Sequence, residues 1–409
     1  MTTRWAVRAG RAFDGKQFLA DGATVLVEGD RVVGVEAAAF RPPDDVPVTE
    51  LEGTLLPGLV DCHVHLVASG AFPGTPGSLE WAGTADPAAV DEVVTSSLRA
   101  QVTAGVTSVR DLGDVGYRVL DHRGREAEGL PRVLAAGPPI TIPLGHCWFL
   151  SGDVDPDDPA TLDEAIAERV ERGVDLVKVM ASGGFLTPGS DQLGAQFDVT
   201  PLRHMIGAAH EAGLRVVAHT HSVAGAEVAV EAGADGLEHF TCMAEGGADP
   251  PAELLARVAA ASMTVCPTLG NDSSRFPPVS AMPPHILEML QRIGITDRDE
   301  HFARAATNTA RLREHGIRVV SGLDAGAMPA KPHGHLWRSV AELVRGGWPV
   351  DEALATATSV AAEDCGLDAG RLAVGRLADL LVVDGDPAAD VAALSRPLAV
   401  WVGGVAVER

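Results

Sequence analysis

The chain has 409 residues, 46% hydrophobic and 22% charged, with a formal charge of −24 and a pI near 4.9. That length accommodates one large α/β domain with a small companion, or two to three ordinary domains. The acidic excess argues against nucleic acid or an anionic membrane as partner, and no apolar run approaches the roughly 20 residues of a membrane span.

Nothing after Met1 reads as a basic-then-apolar leader. The five cysteines, Cys62, Cys147, Cys242, Cys266 and Cys365, are odd in number and never in a C-x-x-C spacing. They read as reduced cytoplasmic thiols and not as a disulfide frame or a zinc knuckle. Separately from them, a small-molecule substrate is expected, with homo-oligomerisation left open.

The first segment is strand-rich. Thr24-Val25-Leu26-Val27 joins Arg31-Val32-Val33-Gly34-Val35 through Glu28-Gly29-Asp30, a hairpin signal. From Leu59 short apolar strands alternate with longer helical stretches, as βα units around a parallel sheet do. Eight strands are expected, at 59–66, 107–112, 132–136, 175–180, 215–220, 236–240, 264–267 and 318–322. Helices are expected between them, with a final one at 351–364. Glycines stand just past several of them, at Gly105, Gly173, Gly213, Gly233 and Gly316. The fold class is therefore α/β, a (β/α)8 TIM-type barrel over residues 58–370, with its chemistry at the C-terminal strand ends. Residues 1–57 and 371–409, each too short for its own core, are expected to pair into one small β-sandwich domain.

Ionisable residues recur on these strands. In Leu59-Val60-Asp61-Cys62-His63-Val64-His65-Leu66, the period of 2 puts His63 and His65 on one face. Two imidazoles there can grip one ion of zinc, iron or nickel, or be a hydrogen-bonded core pair. Lys178 stands among apolar residues in Asp175-Leu176-Val177-Lys178-Val179-Met180, where an unpaired ammonium is costly. Only Lys16, Lys178 and Lys331 are lysines, so a lysine here is seldom incidental. His219 and His221 share parity on the fifth strand, His239 ends the sixth, and Asp324 follows the eighth. Each alone is more often structural; together they mark a site.

This set resembles the amidohydrolase superfamily, whose binuclear pattern has His-x-His on strand one, a carboxylated lysine on strand four, histidines on strands five and six, and aspartate on strand eight. The matching positions are His63, His65, Lys178, His219, His239 and Asp324. Gly375–Pro387 resembles the superfamily's return into its small β-domain, and Gly105–Gly113, Pro131–Gly137 and Lys178–Gly184 are similar to the imidazolonepropionase-related, Xaa-Pro dipeptidase-like group. The resemblance implies two divalent metal ions, zinc first, and a CO2-derived carbamate on Lys178. His63, His65 and Asp324 would complete one site and His219 and His239 the other. It further implies a metal-bridged hydroxide that attacks an amide or peptide-type carbonyl, in an N-acyl amino acid or dipeptide, with Asp324 moving the proton. Esterase, lactonase or carbamate hydrolase activity on the same site, or a non-catalytic dihydropyrimidinase-like scaffold, are the alternatives. His146 after strand three and His221 are further catalytic candidates. Trp148, Phe149, Phe185 and Met328 are candidates for an apolar substrate wall.

Overall fold

The computed structural model describes residues 4–276, 284–295 and 297–408. Its strands are β1 Arg4–Phe13, β2 Phe18–Leu19, β3 Ala23–Glu28, β4 Arg31–Glu36, β5 Val48–Pro57, β6 Leu59–Val64, β7 Val106–Asp111, β8 Arg132–Ala135, β9 Val177–Met180, β10 Val216–Ser222, β11 Gly236–Ala244, β12 Gly247–Ala248, β13 Thr264–Cys266, β14 Arg318–Val319, β15 Leu380–Val383, β16 Pro397–Val402 and β17 Val405–Ala406. Its α-helices are α1 Leu79–Ala82, α2 Pro87–Thr103, α3 Pro159–Arg172, α4 Val199–Glu211, α5 Val223–Ala232, α6 Ala252–Ala260, α7 Pro284–Arg292, α8 Arg298–Glu314, α9 Trp337–Arg345, α10 Val350–Thr356 and α11 Ser359–Asp364.

Strands from both ends of the chain share one eight-stranded sheet, in the order β17-β16-β15-β5-β1-β3-β4 with β2 on β1. The join is the antiparallel pair β5·β15, where Leu55 lies opposite Val382. Val7, Val25, Val27, Leu55, Leu380 and Val382 form an apolar face, and Trp5 stacks on Trp401 with ring centroids 5.4 Å apart. Neither terminal piece has this face without the other.

The chain leaves this sheet at Gly58, where a Cβ would overlap the Thr107 side chain, and becomes β6 at once. Strands β6-β7-β8 form one parallel sheet and β9-β10-β11-β13-β14 a second, with β12 antiparallel on β11. Strands β6, β7 and β9 are buried along their whole length, as parallel strands covered on both faces are, although each carries polar or charged residues. Hydrogen bonds link the sheets at both edges. Ile140 N–H donates to the Lys178 carbonyl at 2.8 Å and Met180 N–H to the Ile140 carbonyl at 2.8 Å. On the other side Cys62 N–H donates to the Ser321 carbonyl at 3.0 Å and Asp324 N–H to the His63 carbonyl at 2.8 Å.

Helix starts are set by local chemistry. Asp86 and Asp158 cap α2 and α3, each followed by a proline that needs no amide partner. Ser222, the last residue of β10, caps α5 by accepting from Gly225 N–H. That abrupt strand-to-helix turn leaves His219 and His221 at a fixed strand end.

Two features differ from the sequence expectation. The final helix is two, α10 and α11, broken at Thr358 (φ −132°, ψ −98°), and the Ala357 carbonyl between them accepts Val60 N–H at 2.8 Å. Helices α1, α7 and α9 lie in stretches to which the sequence reading assigns no element; α9 starts from Leu336, which has no capping side chain. The terminal strands are one continuous sheet in their hydrogen bonding. Among the described residues, no helix is long and apolar enough to cross a membrane.

Candidate metal centre

Strand ends deliver two groups of donors to one place. In the first group, His63 in β6 and His65 just past its end present their Nε2 atoms to Asp324 Oδ1 at 3.5 and 3.2 Å. The three ligand atoms lie within 4.8 Å of one another, and all three residues are buried. Asp324 sits in left-handed backbone (φ 63°), a conformation rare for residues other than glycine that clusters at functional sites. In the second group, His219, His221 and His239 likewise hold ring nitrogens within 4.8 Å. Ring centroids are 4.6 Å apart for His219 and His221, 4.5 Å for His219 and His239, and 4.4 Å for His221 and His239. Strand register places His219 opposite Glu238 and Thr220 opposite His239, so regular alternation would turn His239 away. Left-handed backbone at His239 (φ 67°) and Phe240 (φ 48°) breaks the alternation and brings the ring back. The groups adjoin, since the His63 and His239 rings are 5.0 Å apart.

Lys178 is fully buried, and its Nζ has no hydrogen-bond partner among the described residues. Burial pulls its pKa below the ordinary ammonium value. Its charge in turn lowers His63, His219 and His239, although burial is the larger cause for each. Neutral imidazoles keep a lone pair for a ligand. His65 behaves otherwise. Burial pulls it down, but the hydrogen bond and charge of Asp324 hold it above its ordinary value. Burial would raise Asp324, yet the His65 hydrogen bond and the charges of His63 and Lys331 keep it well below the usual carboxylate range.

A second layer fixes the rings. His63 Nδ1 meets Glu238 Oε2 at 2.6 Å, leaving Nε2 to the site. His65 Nδ1 meets the Gly113 carbonyl at 3.2 Å, His239 Nδ1 the Thr268 hydroxyl at 2.8 Å, and His221 Nδ1 the Thr241 hydroxyl at 2.9 Å. Such partners set ring orientation and raise ligand basicity. A third metal-like group, His63, Glu238 and Cys266, lies within 4.8 Å, but Glu238 is engaged there by His63 Nδ1 and by Arg110 Nη2 at 3.3 Å.

A residue-level match completes the picture, because the amidohydrolase family profile covers residues 54–407. The chain belongs to the amidohydrolase family. An uncharacterised protein of Mycobacterium tuberculosis strain H37Rv is 28% identical over 311 residues, 75% of this chain and 72% of that one. Aspergillus niger ochratoxinase is 27% identical over 251 residues, 53% of this chain and 50% of its own length. The crystal structure of a Xaa-Pro dipeptidase with methionine bound in its active site superposes with a TM-score of 0.84 at 23% identity, covering all of both chains.

Within this family member the six metal-ligand candidates and the two further histidines singled out from the sequence, His146 and His221, come together. His146 reaches in from the loop after β8, its ring 4.4 Å from His219 and its Nδ1 3.0 Å from the Thr187 hydroxyl. Burial drives its pKa down to about 3, so it is a neutral ring. Gly184 makes room for it, since a Cβ there would overlap the ring. Phe185 packs against His221 with centroids 5.5 Å apart, whereas Trp148 on the neighbouring loop is largely exposed. Sequence reasoning missed Glu238, Arg110, Asp364 and Thr268. Arg110 donates to the Cys62 carbonyl at 2.9 Å and to Asp364 Oδ2 at 2.9 Å, as well as to Glu238. The available signal was the one used for Lys178: a charged residue inside an apolar strand, as in Ser108-Val109-Arg110-Asp111 and Leu237-Glu238-His239.

Proposed function

We propose that this amidohydrolase is a hydrolase that cleaves amide or peptide-type C–N bonds, with N-acyl amino acids or dipeptides as substrates, and that it works with two divalent cations, zinc first among them. The observation that carries this is Lys178, a buried amine without a partner beside two buried groups of metal-ligating side chains. An unpaired charge at such a position is expensive. Burial favours the neutral amine, which adds CO2 to give a carbamate and a proton and so becomes an anionic oxygen donor. The donor set fits such cations: His63, His65 and Asp324 would hold one, His219 and His239 the other, and a carbamate on Lys178 would add an anionic oxygen donor between the two groups. Bound there, they supply Lewis acidity towards the carbonyl and a nucleophile from water at neutral pH.

The chain's own residues do the rest. Asp324 is held ionised and is the carboxylate placed to take a proton from water and return it to the departing amine. Glu238 keeps the His63 ring from turning, and Thr268 does the same for His239. His146 and His221 are oriented by threonine hydroxyls and are proposed to contact substrate polar atoms. We further infer that the two parallel sheets close into one (β/α)8 barrel over residues 58–370, with 1–57 and 371–409 as its companion domain. The names of the ochratoxinase and the Xaa-Pro dipeptidase support an amide substrate.

The test is a panel of N-acyl amino acids, dipeptides, esters and lactones, assayed with zinc and bicarbonate supplied. Hydrolysis of an amide that is abolished by a chelator and restored by zinc is expected. Turnover confined to esters or lactones, or indifference to the chelator, would overturn the proposal.

A further inference from the structure

Of the three lysines, Lys16 is exposed, Lys178 belongs to the metal centre, and Lys331 is buried and so far without a task. Its ammonium donates to the Thr268 carbonyl at 2.6 Å and to the Leu323 carbonyl at 2.9 Å, and it lies 4.0 Å from Asp324 Oδ2. These contacts reach both donor groups. Thr268 is the residue whose hydroxyl holds His239 Nδ1. Leu323 immediately precedes Asp324, the carboxylate of the other group.

Both strand ends depart from ordinary backbone at this point, with Thr268 at φ 44° and Asp324 at φ 63°. Left-handed residues other than glycine persist only where their surroundings hold them. Lys331 is itself anchored in the loop that carries Asp324: its N–H donates to the Met328 carbonyl at 2.9 Å, and its carbonyl accepts Gly326 N–H at 2.8 Å. An ammonium suits the place, because its three donors meet two carbonyls and face a carboxylate. A planar guanidinium would not distribute its donors in this way.

We infer that Lys331 is a positioning residue that ties the strand end orienting His239 to the strand end carrying Asp324, so that the two halves of the proposed metal centre keep a fixed spacing. The inference rests on that reading of the centre, but the tie itself exists without metal and can be measured without it.

The test uses the full chain with Lys331→Met, which removes every donor at similar length, Lys331→Gln, which keeps a shorter donor, and Thr268→Ala. Hydrogen–deuterium exchange of the metal-free proteins should show residues 264–272 and 320–328 exchanging at least about tenfold faster in Lys331→Met, and by less in Lys331→Gln. Distant β1 should be unchanged. Chelator competition should show Lys331→Met weakening both metal equivalents about 10–100-fold, the scale on which partners of ligands act. Thr268→Ala should weaken only one. Wild-type exchange in either segment of Lys331→Met would overturn the inference, as would faster exchange throughout the chain in both lysine variants. Faster exchange confined to the two segments, in a wild-type protein that takes up no metal, would uphold the tie and defeat the metal reading instead.

Discussion

Replacing Glu238 by alanine tests the layer behind the proposed metal ligands, and the structure sets the size of the effect. Glu238 is fully buried, accepts from His63 Nδ1 at 2.6 Å through one oxygen and from Arg110 Nη2 at 3.3 Å through the other. Removing one partner of a buried pair costs about 3–5 kcal/mol, because the remaining charge stays buried. Arg110 keeps Asp364 at 2.9 Å, which points to the lower half of that range. Unfolding entropy of about 2.1 cal/mol/K per residue gives roughly 0.9 kcal/mol/K for this chain, so Tm should fall by about 3–5 °C. The released His63 ring should also cost about 10–100-fold in metal affinity. Glu238→Gln keeps an acceptor for the ring and should lose less of both. Scanning calorimetry on the metal-free protein reads the first quantity, and chelator competition reads the second. A Glu238→Ala protein with wild-type Tm and wild-type metal affinity would refute the assignment of Glu238 as the residue that holds His63.

Asp324→Asn should keep most of its metal, since an amide oxygen still coordinates, while turnover falls about 10²–10⁴-fold for want of a proton acceptor. If activity loss instead tracks metal loss and excess zinc restores it, Asp324 is a ligand only; metal content and kcat on one sample decide. Deleting residues 371–409 strips β15 from β5 and bares Leu55 and its neighbours, so the product should be aggregated; a monodisperse protein with unchanged Tm would contradict the shared sheet. Asp114 is buried with one oxygen unpartnered, and burial raises its pKa to about 7. Its folded pKa lies above the unfolded value, so its contribution is complete below about pH 4 and is lost as pH rises to about 7, at most about 4 kcal/mol at roughly 1.4 kcal/mol per unit. Asp114→Asn should therefore flatten the fall in Tm between about pH 4 and pH 7, and an unchanged slope there would count against it.

The residues that chemistry makes conspicuous were legible in the sequence. A lysine inside Val177-Lys178-Val179 and histidines two apart on a strand violate the apolar pattern around them, and a violation in a buried strand needs a reason. The glycines that close α3 and α5, Gly173 and Gly233, were legible for the same local reason. What could not be read was who meets whom. Glu238 and His63 are 175 positions apart, and nothing local to either names the other. Strand parity alone would have sent His239 to the wrong face, because its left-handed backbone depends on the turn that follows. Helix α9 has no polar cap, and the break between α10 and α11 is set by an amide nearly 300 residues earlier, Val60 N–H on the Ala357 carbonyl.

The most direct measurement of the central claim is a crystal structure of protein purified with zinc and bicarbonate, with anomalous data collected at the zinc edge. The account predicts two anomalous peaks per chain, one beside His63, His65 and Asp324 and one beside His219 and His239, with carbamate density continuing from Lys178 Nζ to both. A free Lys178 amine in an active, fully metallated enzyme, or an active enzyme with fewer than two peaks, would contradict it.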